Sequence, residues 1–407
     1  MEIQTLEDIN LKNLKELYLR EIGLSDINYL KNIKIENLEI LDLSNNDISD
    51  IKVLKNENFK GLKQLTLNFN KLLDISALEN IKFDKLEILD LHDNSIQNIN
   101  FENLDFRELK KLNLSKNDLS SIILSKNIKF KKIENIIFDN NKTTNIIISE
   151  PLDLNELKSI SFRNNKILDI KDFGKLNLEK LEDLDISDNK ISDVTIFENL
   201  NLNNLKILNL YNNKISNINS LENCHMENLK ELYLSKNQIS DIKALGKVKF
   251  EKLERLLLDE NKISDIRILE KVNFKELKKL EMSKNTISDI SILKNVNFKE
   301  LNELDMSKNT ILDITVLIDV KFEKLRKLDL NSNIIKDIDI LKKTNFKELA
   351  ILDLSYNKIS DMNVFKKIKF EKLVTLKINN NLTSEEENAS ILKYLNLDTK
   401  ENNCEFQ

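Results

Sequence analysis

The chain has 407 residues and a formal net charge of −5, from 63 Lys and Arg against 68 Asp and Glu. The mixed-sign charge forms no basic stripe of the kind that contacts phosphate backbones, so we expect no nucleic-acid partner. The hydrophobic fraction, 41%, suffices for a continuous core. The two cysteines, Cys224 and Cys404, lie far apart and make no disulfide framework, which indicates a reducing compartment.

Residues 1–13 come first and lack the basic and apolar regions of a secretory signal. No run of about 18 apolar residues follows, so we expect a cytoplasmic protein without a membrane span. Ile3, Leu6 and Ile9 predict that residues 1–13 form an N-terminal cap over the first repeat, because the ends of a repeat array need a polar outer cover.

A 24-residue repeat organises the chain. It is clearest from Leu253 to Glu276, LERLLLDENKISDIRILEKVNFKE, and starts again at Leu277. One spacing, from Leu86 to Leu109, is one residue shorter. Sixteen repeats open in this way, at Leu14, Leu38, Leu62, Leu86, Leu109, Ile133, Leu157, Leu181, Leu205, Leu229, Leu253, Leu277, Leu301, Leu325, Leu349 and Leu373. A fixed period of this length predicts a solenoid in which each repeat stacks on the next.

Each repeat carries apolar columns with different roles. Leu256 and Leu258 alternate with Leu257, which predicts a strand with two buried leucines and an outward residue between them. Leu269 and Val272 are spaced by three, which predicts helical turns on the opposite side. A phenylalanine column, with aliphatic residues in its middle, is expected to stack as a spine: Phe59, Phe83, Phe106, Phe130, Leu154, Leu178, Leu202, Met226, Phe250, Phe274, Phe298, Phe322, Phe346 and Phe370.

Two polar columns are equally regular. An asparagine recurs from Asn46 to Asn381, and its amide can satisfy backbone groups where the strand ends. Four residues later comes Asp50 or its equivalent, which is Asp, Asn or Ser in every repeat as far as Asp361. These residue types predict helix N-caps. The alternative interpretation of this column is an acidic ladder for a metal ion.

The pattern LxxLxLxxNxI, present as LEILDLSNNDI, LEDLDISDNKI, LKELYLSKNQI and LAILDLSYNKI, resembles the leucine-rich repeat family over about nine tenths of the chain. The SDI-x-x-L continuation is similar to the cytosolic subclass typified by the leucine-rich regulatory subunit of protein phosphatase 1, and to bacterial internalins. Those families use repeats near 22 residues, which this chain exceeds. The resemblance implies an α/β repeat solenoid: a curved horseshoe with a parallel β-sheet on the concave face and short helices or turns on the convex face.

The remaining segments complete the domain organisation. The sequence predicts the N-terminal cap at 1–13, the solenoid at 14–382, a C-terminal capping helix at 383–397 and a disordered tail at 398–407. Pro151, the single proline, lies in the least regular repeat and predicts an extended segment in place of the outer helical turn. That repeat is either a hinge or a drifted copy.

Catalytic residues are not apparent. His92 and His225 are the two histidines, and no Cys or Asp is expected beside either to build a triad or metal site. Cys224 and His225 form an adjacent pair without further ligands. No phosphate-binding loop, dinucleotide fingerprint, kinase motif or zinc-protease motif occurs. We therefore expect no enzyme activity, no cofactor and no metal.

The outward residues between the strand leucines are the candidate binding residues. Four acids follow one another on consecutive strands, and an apolar group with two tyrosines precedes them. The predicted site residues are Ile207, Tyr211, Tyr233, Leu257, Glu281, Glu303, Asp305, Asp329 and Asp353. Exposed aromatic residues beside charges are typical of protein-binding surfaces. The alternative is that these acids are the residues common at this position in the family.

The sequence thus predicts a monomeric, non-catalytic scaffold that binds a protein with a basic contact surface through the concave face. A narrower alternative is a regulatory subunit resembling the phosphatase-associated group. A third is an adhesin or effector resembling internalins, which would need export without a visible signal.

Overall fold

The computed structural model describes residues 11–33, 35–79, 81–368 and 370–397. The chain divides into two compact units, Met1–Leu205 and Lys206–Gln407, called here the N-terminal and the C-terminal unit. Residues 1–10 of the predicted cap and the whole predicted tail at 398–407 lie outside the described residues.

The main sheet of the N-terminal unit, among the described residues, has eight short parallel strands, one per repeat. In each strand the middle residue is apolar and faces the core, as Leu41 and Leu65 do. These two leucines are paired in register, so the strands stack without slippage. The strands are β1 (Glu16–Tyr18), β2 (Ile40–Asp42), β3 (Gln64–Thr66), β4 (Ile88–Asp90), β5 (Lys111–Asn113), β7 (Asn135–Ile137), β10 (Ser159–Ser161) and β12 (Asp183–Asp185).

The C-terminal unit repeats this arrangement with eight further strands. Leu232 pairs with Leu256, and Leu256 with Leu280, all of them buried. The predicted alternation of buried and outward strand residues is therefore confirmed. The strands are β13 (Ile207–Asn209), β14 (Glu231–Tyr233), β15 (Arg255–Leu257), β16 (Lys279–Glu281), β17 (Glu303–Asp305), β18 (Lys327–Asp329), β19 (Ile351–Asp353) and β20 (Thr375–Lys377).

In most repeats, the side opposite the strand is built from single turns of 3-10 helix, which confirms the predicted helical turns. Buried residues such as Leu269 and Leu293 anchor them. In the N-terminal unit they span Asn28–Lys31, Lys52–Lys55, Glu57–Phe59, Ser76–Leu78, Phe101–Asn103, Lys171–Lys175 and Thr195–Asn199. In the C-terminal unit they span Asn219–Asn223, Lys243–Gly246, Arg267–Glu270, Ser291–Lys294, Thr315–Ile318, Asp339–Lys343 and Asn363–Lys367.

One α-helix, α1 (Glu385–Tyr394), follows the last strand. It begins with a capping box, because Ser384 Oγ accepts the Glu387 N–H at 3.1 Å and Glu387 Oε2 accepts the Ser384 N–H at 2.9 Å. Ile391 and Leu392 are buried. No helix within the described ranges is long and apolar enough to cross a membrane.

Extended segments replace the outer helical turns in the repeats around Pro151. Strands β6 (Ser121–Leu124) and β8 (Asn145–Ile148) pair in parallel, and β9 (Leu152–Asp153) pairs with β11 (Leu176–Asn177). The extended conformation predicted from Pro151 is confirmed. At the end of β8, the Ile148 N–H donates to Asp172 Oδ2 at 3.0 Å and Lys175 Nζ donates to the Ile148 carbonyl at 2.6 Å. Asp172 and Lys175 thus form hydrogen bonds with backbone groups that would otherwise be free to pair with another strand.

The phenylalanine column lies in the core, as predicted. Phe83 and Phe106 have ring centroids 5.9 Å apart, and Phe106 stacks on Phe130 at 6.3 Å. In the C-terminal unit Phe250, Phe274 and Phe298 are each 1% exposed. Packing of this kind makes a buried phenyl ring worth about 3–5 kcal/mol of stability.

The asparagine column makes the predicted backbone contacts. Asn285 Oδ1 accepts the Ile263 N–H at 2.9 Å, while its Nδ2 donates to the carbonyls of Leu258 and Met282 at 3.0 and 3.1 Å. One side chain thus connects two consecutive repeats. Asn141 does the same in the N-terminal unit.

The predicted helix N-caps are displaced by one residue. Ile51, not Asp50, occupies the N-cap position and makes no side-chain cap bond. Asp50 lies just before it, and its Oδ1 accepts the N–H of Lys52, the first helical residue, at 2.9 Å. The hydrogen bonds from Lys52 lower the pKa of Asp50. The aspartate column therefore starts each turn through local side-chain contacts.

Candidate functional site

The sheet face is the side of each sheet that carries the residues between the buried strand leucines. In the C-terminal unit Leu256 and Leu258 are fully buried, while Leu257 between them is half-buried. All nine predicted site residues lie in this unit, on β13 to β19 or directly after β13. Eight of them are half-buried and Asp353 is buried. The sheet register brings the acids together.

The four acids of the central column stand side by side. Glu281 pairs in register with Asp305, Asp305 with Asp329, and Asp329 with Asp353. Lysines neutralise the two ends of this column. Lys279 Nζ lies 2.6 Å from Glu281 and 3.4 Å from Glu303. At the other end, Lys377 Nζ lies 3.8 Å from Asp353.

Asp305 and Asp329, at the middle of the column, have no basic side chain within 4 Å among the described residues. Asp305 Oδ1 accepts the Ser307 N–H at 2.8 Å. Asp329 Oδ1 accepts the N–H and the side-chain amide of Asn331 at 3.1 and 2.6 Å. Burial first, and then the charges of Asp305 and Asp353, raise the pKa of Asp329 to about 6. Within the described residues, therefore, no basic side chain lies close enough to neutralise the middle of the column.

Asp259 belongs to the same surface, although it is not one of the predicted site residues. It follows β15, where Oδ2 accepts from Ser235 Oγ at 3.0 Å and Oδ1 accepts the Ser283 N–H at 2.8 Å. Burial, followed by the charge of Glu281, raises the pKa of its carboxyl group. The sequence alone could have pointed to Asp259. It lies two residues after Leu257, at a repeat position where serine is frequent.

The predicted apolar group is held by charged side chains. The Tyr233 hydroxyl donates to Glu231, whose Oε2 lies 4.0 Å from Arg255 Nη1. Lys236 Nζ stands 5.0 Å from the ring centroid of Tyr211. Burial and Glu231 raise the pKa of the Tyr233 hydroxyl. This end of the surface presents one tyrosine that is hydrogen-bonded to a glutamate and one that lies beside a lysine, a composition typical of protein-binding hot spots.

The expectation that no acid lies beside the histidines is wrong for His92. Its Nδ1 lies 2.8 Å from Asp90 Oδ1. His225 Nδ1 lies 3.8 Å from Glu227 Oε1. Across the described ranges, no group of three or more His, Cys, Asp and Glu is placed to hold a metal ion. Cys224 is buried, and burial raises the pKa of its thiol to about 12.

Family models match this repeat directly. A model described as leucine-rich repeats in two copies matches residues 36–80, 227–271 and 323–367, and a second leucine-rich repeat model matches residues 179–239. The repeats that these models match are leucine-rich repeats. No curated protein matches this leucine-rich repeat protein.

Solved structures of bacterial leucine-rich repeat proteins are similar to it. An internalin, InlF from Listeria monocytogenes, is 25% identical, with a TM-score of 0.55 over 90% of this chain and 87% of that chain. A leucine-rich repeat protein of Leptospira interrogans is 23% identical, with a TM-score of 0.69 over 95% of each chain. The functional domain of InlJ from Listeria monocytogenes is 20% identical, with a TM-score of 0.66 over 90% of this chain and 73% of that chain.

Proposed function

We propose that this leucine-rich repeat protein is a non-catalytic scaffold that binds a protein partner through the sheet face of its C-terminal unit. Membership of the leucine-rich repeat family supports protein–protein interaction as the general role. One observation carries the choice of surface. Asp305 and Asp329 lie side by side on adjacent strands, half-buried and with no basic side chain of the described residues within 4 Å.

We expect the partner's contact surface to be basic. Like charges at directly opposite positions on a sheet repel, and partial burial strengthens the repulsion because it reduces solvation. An arginine or lysine from a partner would supply the charge that Lys279 and Lys377 supply to the two ends of the column. Electrostatic complementarity of this kind increases association rate and specificity more than it increases affinity.

Tyr233, Tyr211 and Leu257 would add the apolar part of the contact. Glu231 and Arg255 hold the Tyr233 ring in place before binding. A ring already fixed loses little side-chain entropy when a partner packs against it. Aromatic residues beside a charged column thus form a composite surface, in which the rings supply buried area and the acids supply selectivity.

The test is affinity capture with mass spectrometry, comparing the wild-type chain with a variant that combines Tyr233→Ala and Asp305→Lys. We expect proteins with basic surfaces that wild type enriches to be lost from the variant. Circular dichroism on both chains checks that the variant is folded. Equal enrichment by two folded chains would refute the proposal.

A second candidate is an exported, internalin-like adhesin or effector, favoured by the 25% identity with the InlF structure over most of both chains. Detection of the protein outside the producing cell would support it over the cytoplasmic location that we otherwise propose. The phosphatase-regulator alternative stays a prediction. Its test is whether phosphatase activity co-purifies with the chain.

A further inference from the structure

The turn that follows β3 in the N-terminal unit carries an aromatic residue at a left-handed backbone position. Phe69, Asp93 and Lys116 occupy the same position in consecutive repeats, with φ values of 53°, 55° and 51°. Asparagine and aspartate tolerate this left-handed conformation, whereas a bulky aromatic residue is strained there. Asparagine fills the position at Asn45 and Asn140. Phe69 is also 42% exposed, so core packing does not explain it.

The Phe69 ring already holds a cation. Lys116 Nζ lies 5.7 Å from the ring centroid and 3.3 Å from Asp93 Oδ2. The ring face and the carboxylate therefore act on the same ammonium group. Lys116 is 55% exposed, so solvent competes for it and the contact is weak.

His92 fixes the ring from the side. Its imidazole meets Phe69 edge-on, with centroids 4.8 Å apart and an interplanar angle of 77°. Asp90 Oδ1 holds His92 Nδ1 at 2.8 Å. The two carboxylates of Asp90 and Asp93 outnumber the single ammonium group of Lys116 here, which favours a cationic ligand over an anionic one.

We propose that Phe69 and Asp93 form a second contact site, which receives an arginine side chain of a protein partner in place of Lys116. A guanidinium group is planar, stacks on an aromatic face and can engage a carboxylate with two donors, whereas an ammonium group cannot stack. The arginine would thus bind more tightly than the lysine it displaces. This inference rests on the proposed function only in that the arginine belongs to a protein.

The two histidines allow a direct test on the full chain. His92 reports on the site, while His225 lies in the C-terminal unit and serves as the internal control. The chain is titrated with N-acetyl-arginine methylamide, and the imidazole resonances are followed by NMR. We expect the resonances of His92 to shift saturably and those of His225 to stay unchanged.

Two variants and a second probe test which residues bind the arginine probe and which charge the site prefers. Phe69→Asn places a residue that suits the turn, so the chain stays folded, and it should abolish the shift. Lys116→Ala removes the competing cation and should tighten binding of the arginine probe by about threefold, since the site no longer has to release its own ammonium group. N-acetyl-glutamate methylamide should leave His92 unchanged.

An unchanged titration in Phe69→Asn would overturn the proposal. The proposal would also be overturned if the glutamate probe shifted the His92 resonances and Lys116→Ala abolished that shift. Such a result would indicate that the site binds an acidic partner. The titration contains no partner protein, so a negative result would rule out this arginine site and would not bear on the proposed function. Loss of the proposed function would instead appear as equal capture by wild type and the Tyr233→Ala, Asp305→Lys variant.

Discussion

Asp329 is paired in register with Asp305 on the adjacent parallel strand, and neither carboxylate has a basic side chain within 4 Å in the described part of the chain. Two acids in this position are tolerated because backbone N–H groups of Ser307 and Asn331 donate to them. The pair leaves the C-terminal unit with an electrostatic cost that a partner's cation would relieve.

The first prediction concerns pH. The pKa of Asp329 is raised to about 6 on folding, so the folded chain binds this proton more tightly than the unfolded chain. The contribution to stability is therefore full below about pH 4 and is lost as the pH rises towards 6. Asp329→Asn should stabilise the chain at pH 7 by on the order of 1 kcal/mol, after discounting for partial exposure, with little effect at pH 4.

Carbon-13 NMR of the carboxyl groups checks this directly. Asp305→Asn removes a neighbouring charge and should lower the pKa of Asp329, because the charge of Asp305 is one of the causes that raise it. Titration of Asp329 near pH 4 in the wild-type chain would contradict the account.

The second prediction concerns the asparagine column. Asn285→Ala removes the acceptor for Ile263 N–H and the donors to Leu258 and Met282, leaving backbone groups unsatisfied between two repeats. We expect a loss of about 2–4 kcal/mol in the free energy of unfolding, measured with urea. The neighbouring Lys284→Asn, at a φ of 49°, is the matched control and should stay within about 0.5 kcal/mol of wild type. Equal unfolding midpoints for Asn285→Ala and its control would show that the column is dispensable.

The third prediction concerns close packing between outer turns. A Cβ at Gly246 would lie 2.5 Å from Ile268 Cδ1 and 2.9 Å from its Cγ1. Gly246→Ala should therefore destabilise the chain by about 1–3 kcal/mol unless the isoleucine moves. Adding Ile268→Ala should restore part of the loss, as a double-mutant cycle of thermal unfolding would show. Additive effects of the two substitutions would mean that these side chains do not meet.

Much of the fold could be predicted because one period fixes both the register and the buried face. Leu232, Leu256 and Leu280 are equivalent in the repeat, and the structure pairs them. The residue at which each helical turn begins was harder to predict from the sequence. Ile51 rather than Asp50 takes the N-cap position, because the aspartate side chain bonds two residues ahead within a 3-10 turn.

The candidate site was only partly predictable. The repeat aligns Glu281, Asp305 and Asp329, but sequence spacing gives no measure of which carboxylates are neutralised by Lys279 or Lys377. The contacts of Phe69 with His92 and Lys116 depend on side-chain conformations at left-handed turns, which a pattern of residue types does not determine.

The most direct test of the central claim is the affinity of a partner recovered by capture, measured with purified proteins for wild type, Asp329→Lys and Glu323→Lys. Glu323 is an exposed acid at the end of the preceding repeat, in the turn before β18, so its reversal makes the same change of charge outside the strand. We expect Asp329→Lys to raise Kd by about tenfold or more, equivalent to about 1.4 kcal/mol, and Glu323→Lys to change it by less than about twofold. Equal affinities for all three folded chains would show that the partner binds elsewhere.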